Sequence, residues 1–309
     1  MSAHATAFDS DRLVDASLDA LWRQWRTIGG AAAGGPARTQ VDPEALCMAS
    51  LVLEPHEPRL WLAMSDWLRL GAPLLSVQRL KNVSKQFAGS ERGTRRLAAA
   101  AARESRDARW RSLAGGSGRD VRQRQPTRQR SAGPALTAAP ALVLRLRSAF
   151  SVGVKADLLA FLLGQQFRTT VGSAAASLCY STPTVFRAFQ DLRLAGFVQA
   201  AELTAATEYW ADTAPWHGIV GGPTAIARWG FWREMLAYVC AVLKLQEGAA
   251  LHRDTRYAAG VRLRALASRH EADLARAGVL DPGSALPRSP DLGEWRQFHG
   301  RLCQRMAAG

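Results

Sequence analysis

The chain has 309 residues, 40 Lys+Arg against 26 Asp+Glu, a formal charge of +14 and a pI near 10.8. A hydrophobic fraction of 48% excludes a wholly disordered chain, and the length suffices for two modest domains. The longest nearly unbroken apolar run, Met235 to Leu243, falls far short of the ~20 residues that span a bilayer, which excludes a helical membrane anchor.

The opening MSAHATAFDSDRL has no basic stretch followed by an apolar block, so no export signal is read and the expected location is cytoplasmic. Asp11 to Ile28 follows with Leu13, Leu18, Leu21, Trp22 and Trp25 near one helical face, and the glycines from Gly29 end it. Asp42-Pro43-Glu44 is a helix start, with Asp42 as N-cap and Pro43 in the first turn, leading into Leu46 to Leu53. Pro58 to Leu70 predicts a third helix, and Ser76 to Phe87 a fourth with Arg79, Lys81 and Lys85 outward. Tryptophans at helical spacing are core material, so Trp22, Trp25, Trp61 and Trp67 are assigned to packing. Residues 1–111 thus read as an N-terminal helical module.

Charge is unevenly placed. Residues 1–78 carry 6 basic and 9 acidic side chains, residues 79–130 carry 15 and 4, and residues 131–309 carry 19 and 13. Only 4 of the 40 cations are lysines, which suits an alanine-rich chain, but a general arginine bias does not remove acids from one segment. Residues 112–135, rich in Arg, Gly and Gln without an apolar period, read as a flexible basic linker. Its Arg119, Arg122, Arg124, Arg128 and Arg130 suit contacts to nucleic-acid phosphates, which give affinity without sequence information and a steep salt dependence.

A second unit follows over residues 136–216. Leu142 to Phe150 begins it and supplies Arg145 and Arg147 as further candidate phosphate contacts. Ala156 to Leu163 is apolar, Val171 to Tyr180 is Ala-rich, and Ser181 or Thr182 caps a third helix reading STPTVFRAFQDLRLAGFVQ. In that helix Val185, Phe189 and Leu192 form the buried stripe, Pro183 fixes the start and Gly196 the end. Thr182, Thr184, Phe186, Arg187 and Gln190 are left mostly outward, with Arg193 a turn further on. Arginine bonds guanine bidentately and glutamine bonds adenine so, the chemistry of a major-groove reader.

Thr170 to Val198, taken whole, resembles the winged helix-turn-helix of bacterial transcription regulators, and the resemblance covers roughly residues 153–215. It implies that Ser181 to Ala195 is the recognition helix and that Val198 to Leu203 and Glu208 to Asp212 form a small β-hairpin wing. The layout as a whole resembles regulators encoded beside nucleotidyltransferase toxins, which implies an autorepressor or antitoxin role. Two features depart from the pattern: the segment 151–216 has a net charge of −1, and the wing has no basic residue. A near-neutral unit of this kind binds duplex poorly alone, so affinity is expected to come from the 79–130 arm with Arg145 and Arg147.

Pro215-Trp216 through Gly222-Pro223 reads as a connection, followed by helices over Thr224 to Gln246, Leu251 to Ala277 and Gly293 to Met306. The wide apolar face of the first could pack internally or form a homodimer seam. Residues 217–309 thus read as a C-terminal helical domain. The six histidines share no HxH, HExxH or HxxxH spacing, the four cysteines sit far apart without a CxxC pair, and no nucleophile turn is present. No enzyme, cofactor or metal is therefore expected, and Cys179 reads as packed core. The resulting expectation is a mainly α, sequence-specific regulator of double-stranded DNA, acting as a homodimer. The competing reading is a protein-interaction adaptor or toxin-neutralising partner of a protein encoded next to it, with the winged helix as scaffold.

Overall fold

The computed structural model describes residues 10–30, 34–115, 136–165, 167–203, 206–247, 256–280, 286–287 and 292–309. Among these residues the protein is mainly helical, with fourteen α-helices and one two-stranded antiparallel sheet.

The organising element is α2, Pro43–Leu53, which is buried at all but one position. It begins as the Asp-Pro-Glu signal predicts: Asp42 accepts from the Ala45 amide at 3.1 Å, and Pro43 occupies the first turn, where no N–H is required. Around it pack α1 (Ser10–Thr27), α3 (Arg59–Gly71), α4 (Val77–Ser84) and α5 (Glu91–Glu104), with the short α6 (Arg109–Leu113) against α5. Trp25 and Trp67 meet edge to face at 5.7 Å in this core, and each indole N–H has a partner, Ser50 Oγ at 3.0 Å and the Ile28 carbonyl at 2.9 Å. Trp22 and Trp61 are half-buried instead, lying beneath the guanidinium groups of Arg59 and Arg96.

The chain then leaves this body. α7 (Leu142–Phe150), α8 (Val154–Gln165), α9 (Val171–Leu178), α10 (Thr182–Leu194), β1 (Gln199–Glu202), β2 (Thr207–Trp210) and α11 (Ala214–Val220) build a second core of their own. β1 and β2 pair from Gln199↔Trp210 to Glu202↔Thr207, and Thr169 adds a bridge to Tyr209 on the far side of β2. Residues 214–220, read from sequence as a connection, are helical: Pro215 sits in the first turn, and Trp216 and Val220, four apart, are both buried.

The return is through α12 (Trp232–Glu247), α13 (Arg256–Arg276) and α14 (Leu292–Ala308). These helices do not form a separate C-terminal domain. α12 lies on α2, α14 lies on α1, and their apolar side chains merge with those of α1–α6 in one core. Every residue from Trp232 to Leu243 is buried, so the wide apolar face considered for a dimer seam is already covered within the chain. α12 also starts later than its composition suggests: Pro223–Ala225 form a single 3-10 turn, Trp229 bridges to Gln40, and Phe231 takes φ +51° just before the helix. The Gln40 side-chain amide donates to the Ala160 and Ala227 carbonyls at 2.9 and 3.0 Å, stapling the two bodies together. Gly164 makes this possible: a Cβ there would collide with the Gln40 amide and the Trp229 backbone nitrogen.

In the first core Tyr238 Oη lies 2.8 Å from His299 Nε2, and burial pushes the His299 pKa down to about 3. An unfolded histidine titrates near 6.5, so between those values the unfolded chain binds a proton that the folded one refuses, and stability falls as pH drops through the window. Acidification from pH 7 to 4.5 is expected to remove about 3 kcal/mol through this group. In urea titrations at the two pH values, His299→Gln should lose less stability on acidification than the wild type; an equal loss would clear His299 of the effect.

Candidate nucleic-acid interface

The helix α10 is fixed by local signals at both ends. Ser181 stands extended at the N-cap with Pro183 in the first turn. At the other end Gly196 takes φ +75°, and the Gly196 and Phe197 amides donate back to the Arg193 and Leu192 carbonyls. Val185, Ala188, Phe189 and Leu192 face inward, and Phe189 stacks on Tyr209 of β2 at 4.1 Å, which ties the helix to the hairpin. Thr182, Phe186, Arg187 and Arg193 are exposed and Gln190 is half-buried, forming a stripe at i, i+4 and i, i+3 spacing. Thr184 departs from this stripe: it is half-buried, engages the Ser181 hydroxyl at 2.8 Å, and lines a cavity against the first body.

The expected phosphate contacts fare unevenly. Arg119, Arg122, Arg124, Arg128 and Arg130 lie outside the described residues. Arg193 is exposed. Arg145 instead donates to the Val220 and Ile219 carbonyls at 2.8 and 3.2 Å, capping the C-terminal end of α11. Arg147 is not a surface residue at all, with its side chain 0% exposed. Nor does Arg79 point outward, since its side chain is 1% exposed. The hairpin, without a basic residue of its own, gains one from the preceding segment: Arg168 stacks over Trp210 at 4.5 Å and stands 3.9 Å from Glu208.

Arg79 and Arg147 are buried because three carboxylates are buried with them. Asp42 and Glu44 sit at the start of α2 and Asp157 in the first turn of α8, places where the positive end of a helix dipole favours an anion. Arg79 donates from Nη1 and Nη2 to Asp42 at 2.6 Å each, and from Nη1 to Glu44 at 2.6 Å. Arg147 bridges Glu44, at 2.6 and 3.0 Å, to Asp157, at 2.6 and 2.8 Å. Ser76 N donates to Glu44 at 2.7 Å, and Tyr180 Oη donates to Asp157 at 2.8 Å. Every carboxylate oxygen has a donor, which is the condition under which buried charges are tolerated.

This network reaches the turn that precedes α10. Arg79 Nε donates to the Leu178 carbonyl at 2.9 Å and Asn82 Nδ2 to the Cys179 carbonyl at 2.8 Å, so α4 caps the end of α9. Cys179 holds φ +57°, unusual for a non-glycine, and these contacts over-determine it. A third buried cation, Arg233 at the start of α12, bonds Glu234, Asp273 and Gln86, and Gln86 in turn donates to Cys179 Sγ at 3.5 Å. Burial raises the Cys179 thiol pKa, so the group stays protonated, and burial beside Asp157 raises that of Tyr180, which stays a donor. For Asp42 burial opposes ionisation, but the Arg79 guanidinium and the Ala45 amide hold its pKa below the usual value. Its contribution is present above the normal aspartate range and is lost as pH falls through the lowered pKa. The sequence did carry a trace of Arg147: it stands four residues after Val143 and three after Leu144, on the apolar stripe.

Among the described residues no group of His, Cys, Asp or Glu is placed to hold a metal ion, and no helix is long and apolar enough to cross a membrane. Arg147→Met should cost about 3–5 kcal/mol in urea unfolding, since it leaves Asp157 buried without a cation and Glu44 with Arg79 alone, while Arg187→Met on the exposed face should stay within about 0.5 kcal/mol of wild type. Similar small effects from both would mean that the network does not hold the two bodies. In comparisons with known proteins, no family model, curated protein or solved structure matches the chain.

Proposed function

We propose that residues 153–215 form a winged helix-turn-helix and that the protein is a sequence-specific regulator of double-stranded DNA, with α10 as its recognition helix. The observation that carries this reading is the outward stripe of Thr182, Phe186, Arg187, Gln190 and Arg193 on a helix anchored along its opposite face. Arg187 supplies a guanine-reading fork, Gln190 an adenine-reading amide, and Phe186, 48% exposed, an apolar surface for a thymine methyl. An autorepressor or antitoxin role and action as a homodimer belong to the same proposal. Two copies on a palindromic site would meet through a surface other than α12, whose apolar residues are covered.

The competing reading, a protein adaptor or toxin-neutralising partner, is favoured by one observation. Phe150 and Phe197 stand partly exposed around the buried Trp216, with ring centroids 5.3 to 6.3 Å apart, and Leu194 nearby in sequence is 90% exposed. Such apolar ground on the same unit suits a protein surface.

Selection from a random duplex library, followed by fluorescence anisotropy, separates the two. The regulator reading expects an enriched site bound at least tenfold tighter than its scrambled counterpart. Arg187→Ala or Gln190→Ala should then erase about 1–3 kcal/mol of that discrimination each, as expected for a lost bidentate base contact. Failure of any sequence to enrich would move the assignment to the adaptor.

A further inference from the structure

We infer that the first body carries a phosphate-contacting ledge, formed by Lys81 and Lys85 at the end of α4 with Arg106 and Arg109 at the start of α6, beside the start of α10. This rests on the reading of α10 as a DNA-recognition helix and assigns the partner of a surface outside that unit: the sugar-phosphate backbone flanking the groove.

The ledge and the helix share a boundary. A cavity of about 400 Å³ is lined on one side by Ser181 and Thr184, at the beginning of α10, and on the other by Gln78 and Asn82 of α4 and by Arg109. Lys81 on α4 and Lys85 at its C-cap follow Gln78 and Asn82 by three residues each, so they flank the cavity. Lys85 and Arg106 are exposed and hold no ion pair among the described residues, whereas Arg109 is bonded to Asp107 at 2.7 Å. Among the described residues no carboxylate lines the cavity.

Charge makes such a ledge necessary. The unit bearing α10 has a net charge of −1 over residues 151–216, Arg145 is spent on the end of α11, Arg147 is buried, and Lys155 pairs with Asp191 at 2.8 Å. A recognition helix in a major groove about 12 Å wide has a phosphate ridge beyond each end of its contact, and the ridge beyond the start of α10 faces α4 and α6. The buried Arg79 and Arg147 network holds the two surfaces in fixed relation, so the ledge sets the depth and register of α10 as well as adding affinity.

The test is anisotropy of the full chain on an enriched duplex and on its scrambled counterpart across a salt series, comparing wild type, Lys85→Gln with Arg106→Gln, and a control of equal charge on α14, Arg296→Gln with Arg301→Gln. All four positions are exposed, and matching thermal melts establish that the variants fold. Loss of two phosphate contacts should lower the slope of log K against log salt by about two, weakening both duplexes alike, with the control unchanged. Wild-type binding with an unaltered slope in the ledge variant would overturn the ledge while leaving the recognition helix standing. A ledge effect matched by the α14 control would also overturn it, as a general charge effect. Absence of duplex binding by the wild type would overturn both readings.

Discussion

Two arginines and three carboxylates without access to water decide how the molecule is put together. Desolvating five charges is costly, and it is tolerated here because each guanidinium and each carboxylate oxygen is met by a partner and because helix N-termini offset the odd negative charge. The five residues come from α2, its cap, α4, α7 and α8, so the network forms only when both bodies are folded and docked. Arg79 then reaches past it to the carbonyl at the end of α9, and Tyr180 reaches in from the turn before α10. The position of α10 is consequently determined by residues nearly a hundred positions away in the sequence, more than by its own flanking loops.

Location also changes what the arginine excess means. Arg79, Arg147 and Arg233 are interior counter-ions, Arg145 is a helix cap, and Arg59, Arg96 and Arg168 lie over tryptophans. A segment count treats all of these as available charge. What remains for a polyanion is narrower and more directional, gathered at the α4 and α6 edge and along the outer face of α10.

Local signals were readable without the structure. The Asp42-Pro43-Glu44 start, the Val185, Phe189 and Leu192 stripe and the Gly196 stop each act within one or two turns, and each stands where its chemistry places it. The long-range decisions were not readable. Arg79 looks like an ordinary surface cation until Asp42 and Glu44 are brought against it, and nothing in the spacing of α12 says that its apolar faces pair with α2 instead of with another chain. Of the candidate site, the groove-facing stripe was legible because it is the polar complement of an apolar period. The cations around the cavity were legible only as a count, because their common edge is created by docking.

The route of the chain through the two bodies has its own consequence. α1 rests on α14 and α2 on α12, while the unit bearing α10 lies between them in the sequence. During synthesis the first five helices emerge with their apolar faces still waiting for α12 and α14, and the intervening unit must be made before that wait ends. A chain translated only as far as α11 would leave the faces of α1 and α2 that receive α14 and α12 open to chaperones and proteases, so only completion of the last helices covers them.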